Sequence, residues 1–180
     1  MFIETAPDLL PAGADKRHPV FHFVPARITA DSARYVIDSQ HTRPLFDALG
    51  VCRLQLMELG FEVENYAELF YFITGKKRSW QELLEVSERI WNLTRAISAR
   101  EIKGFGRSWD YPPQRFSTEP IPSGPNQGYY IPREKLDQLL DWYYAARGWD
   151  ANGLPTRATL VRLGLEEVAD ALAAEGILAG

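Results

Sequence analysis

Apolar side chains return every three or four residues behind Ser79: Leu83, Val86, Ile90, Leu93 and Ile97 fall on one face of a helix. Ser79 and Glu82 stand at capping-box spacing, where each side chain satisfies an amide left open at the helix start. The pattern predicts a central helix over 79–99. Upstream, Thr29 or Asp31 can cap a helix to Ser39 with Tyr35 and Val36 inward, and 43–49 and 54–59 read as further helical segments. Asn65 with Glu68 opens a helix that ends at Gly75. Phe70, Tyr71 and Phe72 leave that helix little polar face, which predicts burial.

Downstream, Pro132 suits a first helical turn, Leu136, Leu139, Leu140 and Tyr143 form an apolar stripe, and Gly148 ends the element. Thr156 can cap a short helix to Leu163 that Gly164 ends, and a last amphipathic helix with Val168 and Leu172 runs to Glu175. No stretch alternates apolar and polar in the manner of a strand. The expected fold is therefore all-α, an irregular multi-helix domain over 29–180 behind an irregular lead-in, 1–28, broken by Pro7, Pro11, Pro19 and Pro25. Between Glu101 and Ile131 prolines and glycines crowd a long segment, expected to be a surface strap packed by Phe105, Trp109, Tyr111 and Phe116. Trp142, Tyr143, Tyr144 and Trp149 read as core.

The chain has 180 residues, enough for one sizeable domain. Its formal charge is −4 and no Lys/Arg cluster accompanies the aromatics, which argues against nucleic acid and anionic membranes as partners. No apolar run reaches membrane-spanning length, and no signal-peptide pattern opens the sequence. A single cysteine allows no intrachain disulfide, so the cytoplasm is the expected compartment. No G-x-S-x-G or H-E-x-x-H motif occurs, and His18 and His22 are expected to be loop histidines among prolines. No catalytic residue is expected from this chain.

The remaining chemistry lies in F-D-A-L-G-V-C-R, Phe46 to Arg53, which holds that cysteine, Cys52. A lone cysteine is ordinarily a small buried hydrophobe. Its neighbours open a second reading: Asp47 accepts hydrogen bonds, Gly50 permits close backbone approach, and a Cys52 thiolate binds soft metals.

Asp47-Ala48-Leu49-Gly50-Val51-Cys52 resembles the Asp-x-x-Gly-Leu-Cys turn of the tungsten- and molybdenum-pterin aldehyde:ferredoxin oxidoreductases, with Val51 in place of Leu. The likeness continues in the family's order. It takes in E-R-I-W-N-L at Glu88–Leu93, then Arg95, Arg100 and Glu101, then Asp110, Pro113 and Arg115. Beyond these follow W-Y-Y-A-A-R-G-W-D at Trp142–Asp150, N-G-L-P-T at Asn152–Thr156 and L-x-x-L-G-L at Leu160–Leu165. It covers roughly Tyr35 to Leu165.

The resemblance implies the C-terminal helical region of such an enzyme, which oxidises aldehydes to carboxylates at a tungsten or molybdenum bis-pterin and passes electrons through a [4Fe-4S] cluster to ferredoxin. It implies Cys52 as one cluster ligand, and Asp47 with the backbone of Gly50 and Val51 as pterin contacts. By themselves Glu88, Arg89, Arg95 and Arg100 read as solvated charges, and the resemblance implies that some of them make buried ion pairs. A [4Fe-4S] cluster takes four thiolates. The partner expected is therefore an N-terminal pterin and cluster domain or subunit, without which the chain is inactive and exposes Cys52 with an apolar patch over 47–54. The alternative is a helical interaction or structural protein of this fold that binds no cofactor.

Overall fold

The computed structural model describes residues 29–52, 54, 64–124 and 126–178. The lead-in with His18 and His22 lies outside the described residues, as does the helix expected over 54–59 beyond Leu54. Seven α-helices are described. They are α1 (Ala30–Leu49), α2 (Glu64–Thr74), α3 (Trp80–Glu101), α4 (Arg115–Thr118), α5 (Arg133–Arg147), α6 (Arg157–Arg162) and α7 (Glu166–Ala174), with a 3-10 turn at Arg107–Asp110. Among the described residues no strand forms, and Trp149 and Pro155 make an isolated antiparallel bridge. No described helix is long and apolar enough to cross a membrane.

Local signals account for most of the boundaries. Ser79 Oγ accepts from the Glu82 amide while Glu82 accepts from the Ser79 amide at 2.7 Å, so the expected capping box starts α3. Thr156 Oγ1 caps α6 by accepting from the Thr159 amide. Gly148, at φ 68°, closes α5, and Gly75 ends α2. The expected break between two segments in 30–49 does not occur: α1 runs through Pro44 without interruption.

α3 is the centre of the fold, with α1 across it, α2 beside it and α7 over its C-terminal half; α5 packs on α1. The face that α3 buries differs from the one its apolar stripe predicts. Leu83 is buried as expected, but the other buried residues are Ser87, Asn92 and Ala96, while Val86, Leu93 and Ile97 are exposed. Ser87 faces α1, while Asn92 and Ala96 lie on the other side of α3, toward Trp149 and the helices at the C-terminal end, and the polar atoms of Ser87 and Asn92 find partners there. Ser87 Oγ donates to the His41 carbonyl, and Asn92 Oδ1 accepts from Trp149 Nε1 at 2.8 Å. On α1 the inward residues are Ala33, Ile37, Leu45 and Phe46, one step round from the expected Tyr35 and Val36.

Two further corrections concern exposure. α2 is not largely buried: Tyr66 is inside, but Leu69, Tyr71, Phe72 and Ile73 face outward. In the 101–131 strap, Phe105 and Tyr111 are half-buried whereas Trp109 and Phe116 are exposed. Tyr144 and Trp149 belong to the core as expected. A second apolar cluster of Ala96, Leu160, Ala169 and Leu172 holds α6 and α7 on α3, with Val168 packed against it.

Candidate functional site

The D-A-L-G-V-C turn is the C-terminal cap of α1. Gly50 adopts φ 68° and ψ 27°; its amide donates to the Asp47 carbonyl at 3.2 Å and the Val51 amide to the Phe46 carbonyl at 3.0 Å. This is the paired closure of a Schellman motif, and it requires the left-handed conformation that glycine adopts without strain. Leu45 and Phe46 anchor the last turn in the core, Phe46 meeting Tyr66 of α2 edge to face at 5.3 Å. The same geometry turns Asp47, Gly50 and Cys52 outward: all three are exposed, and Val51 is half-buried. A Cβ at Gly50 would meet nothing within 4 Å, so the backbone there is open to close approach.

The direction of this turn is set one turn back along α1. Pro44 has no amide, so the carbonyl of Gln40, four residues earlier, loses its helical donor. Trp91 Nε1 of α3 donates to that carbonyl at 2.6 Å. A proline that would weaken an isolated helix thus becomes a fixed joint between α1 and α3.

Beside the joint lies a buried cation. Arg147, in the last turn of α5, is 2% exposed. It donates from Nη2 to Gln40 Oε1 at 2.6 Å, from Nη1 to His41 Nε2 at 2.7 Å and from Nε to Tyr143 Oη at 3.2 Å. Tyr143 Oη in turn donates to Gln40 Oε1 at 2.7 Å. Among the described residues no carboxylate makes an ion pair with Arg147. Its charge is balanced by these neutral acceptors, by the faces of Tyr143, Trp91 and Trp149 at 5.3–5.8 Å, and by the negative end of the α5 dipole.

An arginine can only donate, so His41 Nε2 must present its lone pair and the ring is neutral. Burial, and then the Arg147 charge, lower the His41 pKa from 6.5 to about 4. The unfolded chain therefore binds a proton that the folded chain refuses. The stability this contributes is complete above pH 6.5 and is lost as pH falls toward 4. Because the site is only partly screened from water, we expect a loss of about 1–2 kcal/mol across that window. Urea titrations at stepped pH should show it, and His41→Gln should flatten the slope between the two pKa values; an unchanged slope would refute the assignment.

A second polar cluster secures the loops behind α3. Arg95 pairs with Asp110 through both terminal nitrogens, at 2.8 and 2.5 Å, and donates from Nε to the Gly153 carbonyl. Tyr144 Oη donates to Asp110 at 2.5 Å, and burial together with that carboxylate raises the phenol's pKa. Gly153, at φ 77°, sits so close that a Cβ would come within 2.7 Å of Arg95 Nη2 and the Tyr144 ring. Some of Glu88, Arg89, Arg95 and Arg100 were expected in buried pairs, and Arg95 makes a largely buried one. Glu88 pairs with Arg162 at 2.5 Å, Arg89 donates to the Leu163 carbonyl, and Arg100 pairs with Glu101 at the surface.

A cleft of about 430 Å³ lies between α1, α3 and α5, over Trp91, Phe105 and Trp149. Its polar wall, Gln40, Arg95, Asp110 and Tyr143, is already bonded within the protein, and none of Asp47, Gly50, Val51 or Cys52 lines it. The described residues contain no group of three or more His, Cys, Asp or Glu able to hold a metal. The exposed thiol and open glycine fit one ligand and one contact of a larger centre, and the donor set is too small for a whole one. Sequence reasoning missed Gln40, His41 and Arg147. Pro44, four residues after Gln40, is the local signal that marks that carbonyl for an outside donor.

Residues 4–165 match the family described as aldehyde ferredoxin oxidoreductase, domains 2 and 3, so the likeness reaches further toward the N-terminus than the motifs alone. The tungsten-containing aldehyde ferredoxin oxidoreductase of Pyrococcus furiosus is 31% identical over 143 residues, 79% of this chain and 23% of that protein. An aliphatic sulfonate oxidoreductase, WOR-like subunit, from the same organism is 34% identical over 90 residues, 48% of this chain and 14% of that one. Among solved structures, the active-site complex BamBC of benzoyl coenzyme A reductase with 1,5-dienoyl-CoA superposes with a TM-score of 0.69 at 27% identity. That match covers 89% of this chain and 23% of the other. The chain thus spans about a quarter of the length of the relatives it matches.

Proposed function

The chain belongs to the aldehyde ferredoxin oxidoreductase family, and from that membership we propose that it is the C-terminal, cofactor-contacting part of a tungsten bis-pterin enzyme with a [4Fe-4S] cluster. The enzyme oxidises aldehydes to carboxylates and delivers the electrons to ferredoxin. Tungsten, rather than molybdenum, follows the names of the aldehyde oxidoreductase relatives. The observation that carries the reading is the exposed Cys52 thiol beyond the cap of α1, beside a glycine whose backbone is open. A metal-pterin and a cluster, when bound, supply the redox chemistry, and the protein supplies position and electrostatics.

Each residue then has a definite part. The Cys52 thiolate gives one of the four ligands, and the other three come from polypeptide outside this sequence, which has no second cysteine. Asp47, exposed, accepts hydrogen bonds from pterin N–H groups. Gly50 and Val51 offer backbone without an intervening side chain. The Trp91–Gln40 joint and the Arg147 lattice hold α1 so that this edge does not shift.

The test is anaerobic purification of the chain alone and of the complete enzyme, with iron, sulfide and tungsten analysis. The chain alone is expected to lack a stoichiometric cluster. The complete enzyme is expected to carry one and to lose its iron and cluster EPR signal in Cys52→Ala. Full cluster content in that variant would sink the ligand assignment, and an absence of metal in every form would favour the cofactor-free alternative.

A further inference from the structure

α2 is built as an interior helix and set at the surface. Leu69, Phe72 and Ile73 share one face at i, i+3 and i+4 spacing, and the last two are 76% and 81% exposed. Tyr71 stands beside Phe72 at 5.9 Å and is exposed as well. A frayed end does not explain this. The C-terminus of α2 is closed by the Gly75 amide on the Tyr71 carbonyl at 2.8 Å and by Thr74 Oγ1, which donates to the Phe70 carbonyl at 2.6 Å and accepts from the Lys76 amide at 3.2 Å. The same stripe begins inside: Tyr66, seven residues before Ile73 and on nearly the same face, packs on Phe46, so it is the C-terminal half of the stripe that lies uncovered. Clustered apolar groups of this size on an ordered surface mark a place where another surface packs.

The buried start of this stripe, Tyr66, lies near Cys52, which acts electrostatically on the phenol. Phe46 belongs to the last turn of α1, six residues before the thiol, so the same stacking contact anchors both the cap and α2. Lys76 and Lys77 follow at the rim, exposed, while Arg78 is engaged with Glu82. An apolar centre with so few charges resembles a permanent interface rather than a transient encounter.

We infer that the outward face of α2, centred on Phe72 and Ile73, is the docking surface for the cofactor-bearing remainder of the enzyme. The inference rests on the function proposed above. The matched relatives are some four times the length of the aligned segment, so a large body of polypeptide is there to cover the face. Cys52 needs three thiolates from that body. Packing on α2 holds the thiol at the cluster independently of the iron–sulfur bond itself. The opposing surface is apolar, with carboxylates facing Lys76 and Lys77.

The test co-expresses the full chain with the part of the Pyrococcus furiosus relative outside the matched region, and follows association by size exclusion with light scattering. The wild-type chain is expected to form a one-to-one complex. Phe72→Glu/Ile73→Glu is expected to weaken it by at least about a hundredfold, the loss typical of central interface anchors. Circular dichroism of the variant chain should be unchanged, because both side chains meet solvent, and Ile73→Gln gives a milder second variant expected to weaken association in the same direction. Cys52→Ala is expected to retain the complex. Association that is indifferent to both α2 variants, or no association by the wild-type chain, overturns the inference. So does a wild-type homodimer that the α2 variants dissociate, since the face would then take a second copy. A complex that depends on α2 yet holds no iron with Cys52 present would leave the docking surface standing and remove the redox reading.

Discussion

Asp110→Ala is expected to destabilise the domain by about 3–5 kcal/mol, the range for removing one partner of a buried ion pair. The Arg95 and Asp110 side chains are 10% and 22% exposed, so the guanidinium left behind would keep little solvent. It would retain the Gly153 carbonyl and the faces of Phe105 and Trp149, at 4.4 and 4.8 Å, but no anion. Tyr144 Oη would lose its acceptor in the same step. The contrast is the double variant Arg95→Met/Asp110→Leu, which removes both charges and is expected to recover a large part of the loss. Chemical denaturation followed by tryptophan fluorescence measures both. A loss below about 1 kcal/mol for Asp110→Ala would place the pair with ordinary surface ion pairs.

The second large effect is at Arg147. Arg147→Ala is expected to cost about 3 kcal/mol or more, from the space left among Trp91, Tyr143 and Trp149 and from the acceptors stripped at Gln40 and His41. Arg147 is the second cause of the low His41 pKa, after burial, and Arg147→Lys keeps the charge while it changes the packing. Removing the neighbouring charge should raise the His41 pKa from about 4 toward its ordinary 6.5, and this readout separates the lattice from simple packing. NMR titration of the imidazole follows it, and Arg147→Lys should leave the pKa low. A His41 pKa that stays near 4 in Arg147→Ala would show that burial alone sets it.

Much of this was legible along the chain. The caps at Ser79 and Thr156 and the glycines at 75 and 148 act within a turn of themselves, and the structure places helix ends beside each. The exposure of Cys52 beyond a helix cap agrees with the surface position expected of it. The stripe on α3 differs from the buried residues for a physical reason. A 3.6-residue period shows that a helix has an apolar side but does not say which side meets its neighbour. α1 covers Ser87, and Trp149 with α6 and α7 covers Asn92 and Ala96 on the opposite side, once the polar atoms have partners.

Most helix ends, the family and the residue types at the α1 cap thus follow from neighbours a few positions apart in the chain, whereas the union of two expected segments into α1 through Pro44 does not. Only the tertiary structure decided which faces are inside and how a buried cation is held. The partners of Ser87 and Asn92 lie 46 and 57 residues away, and those of Arg147 at Gln40 and His41 lie 107 and 106 away. No local pattern encodes such distances. The outward face of α2 follows the same rule, since its side chains were always apolar and what decides their burial is the surface that packs on them.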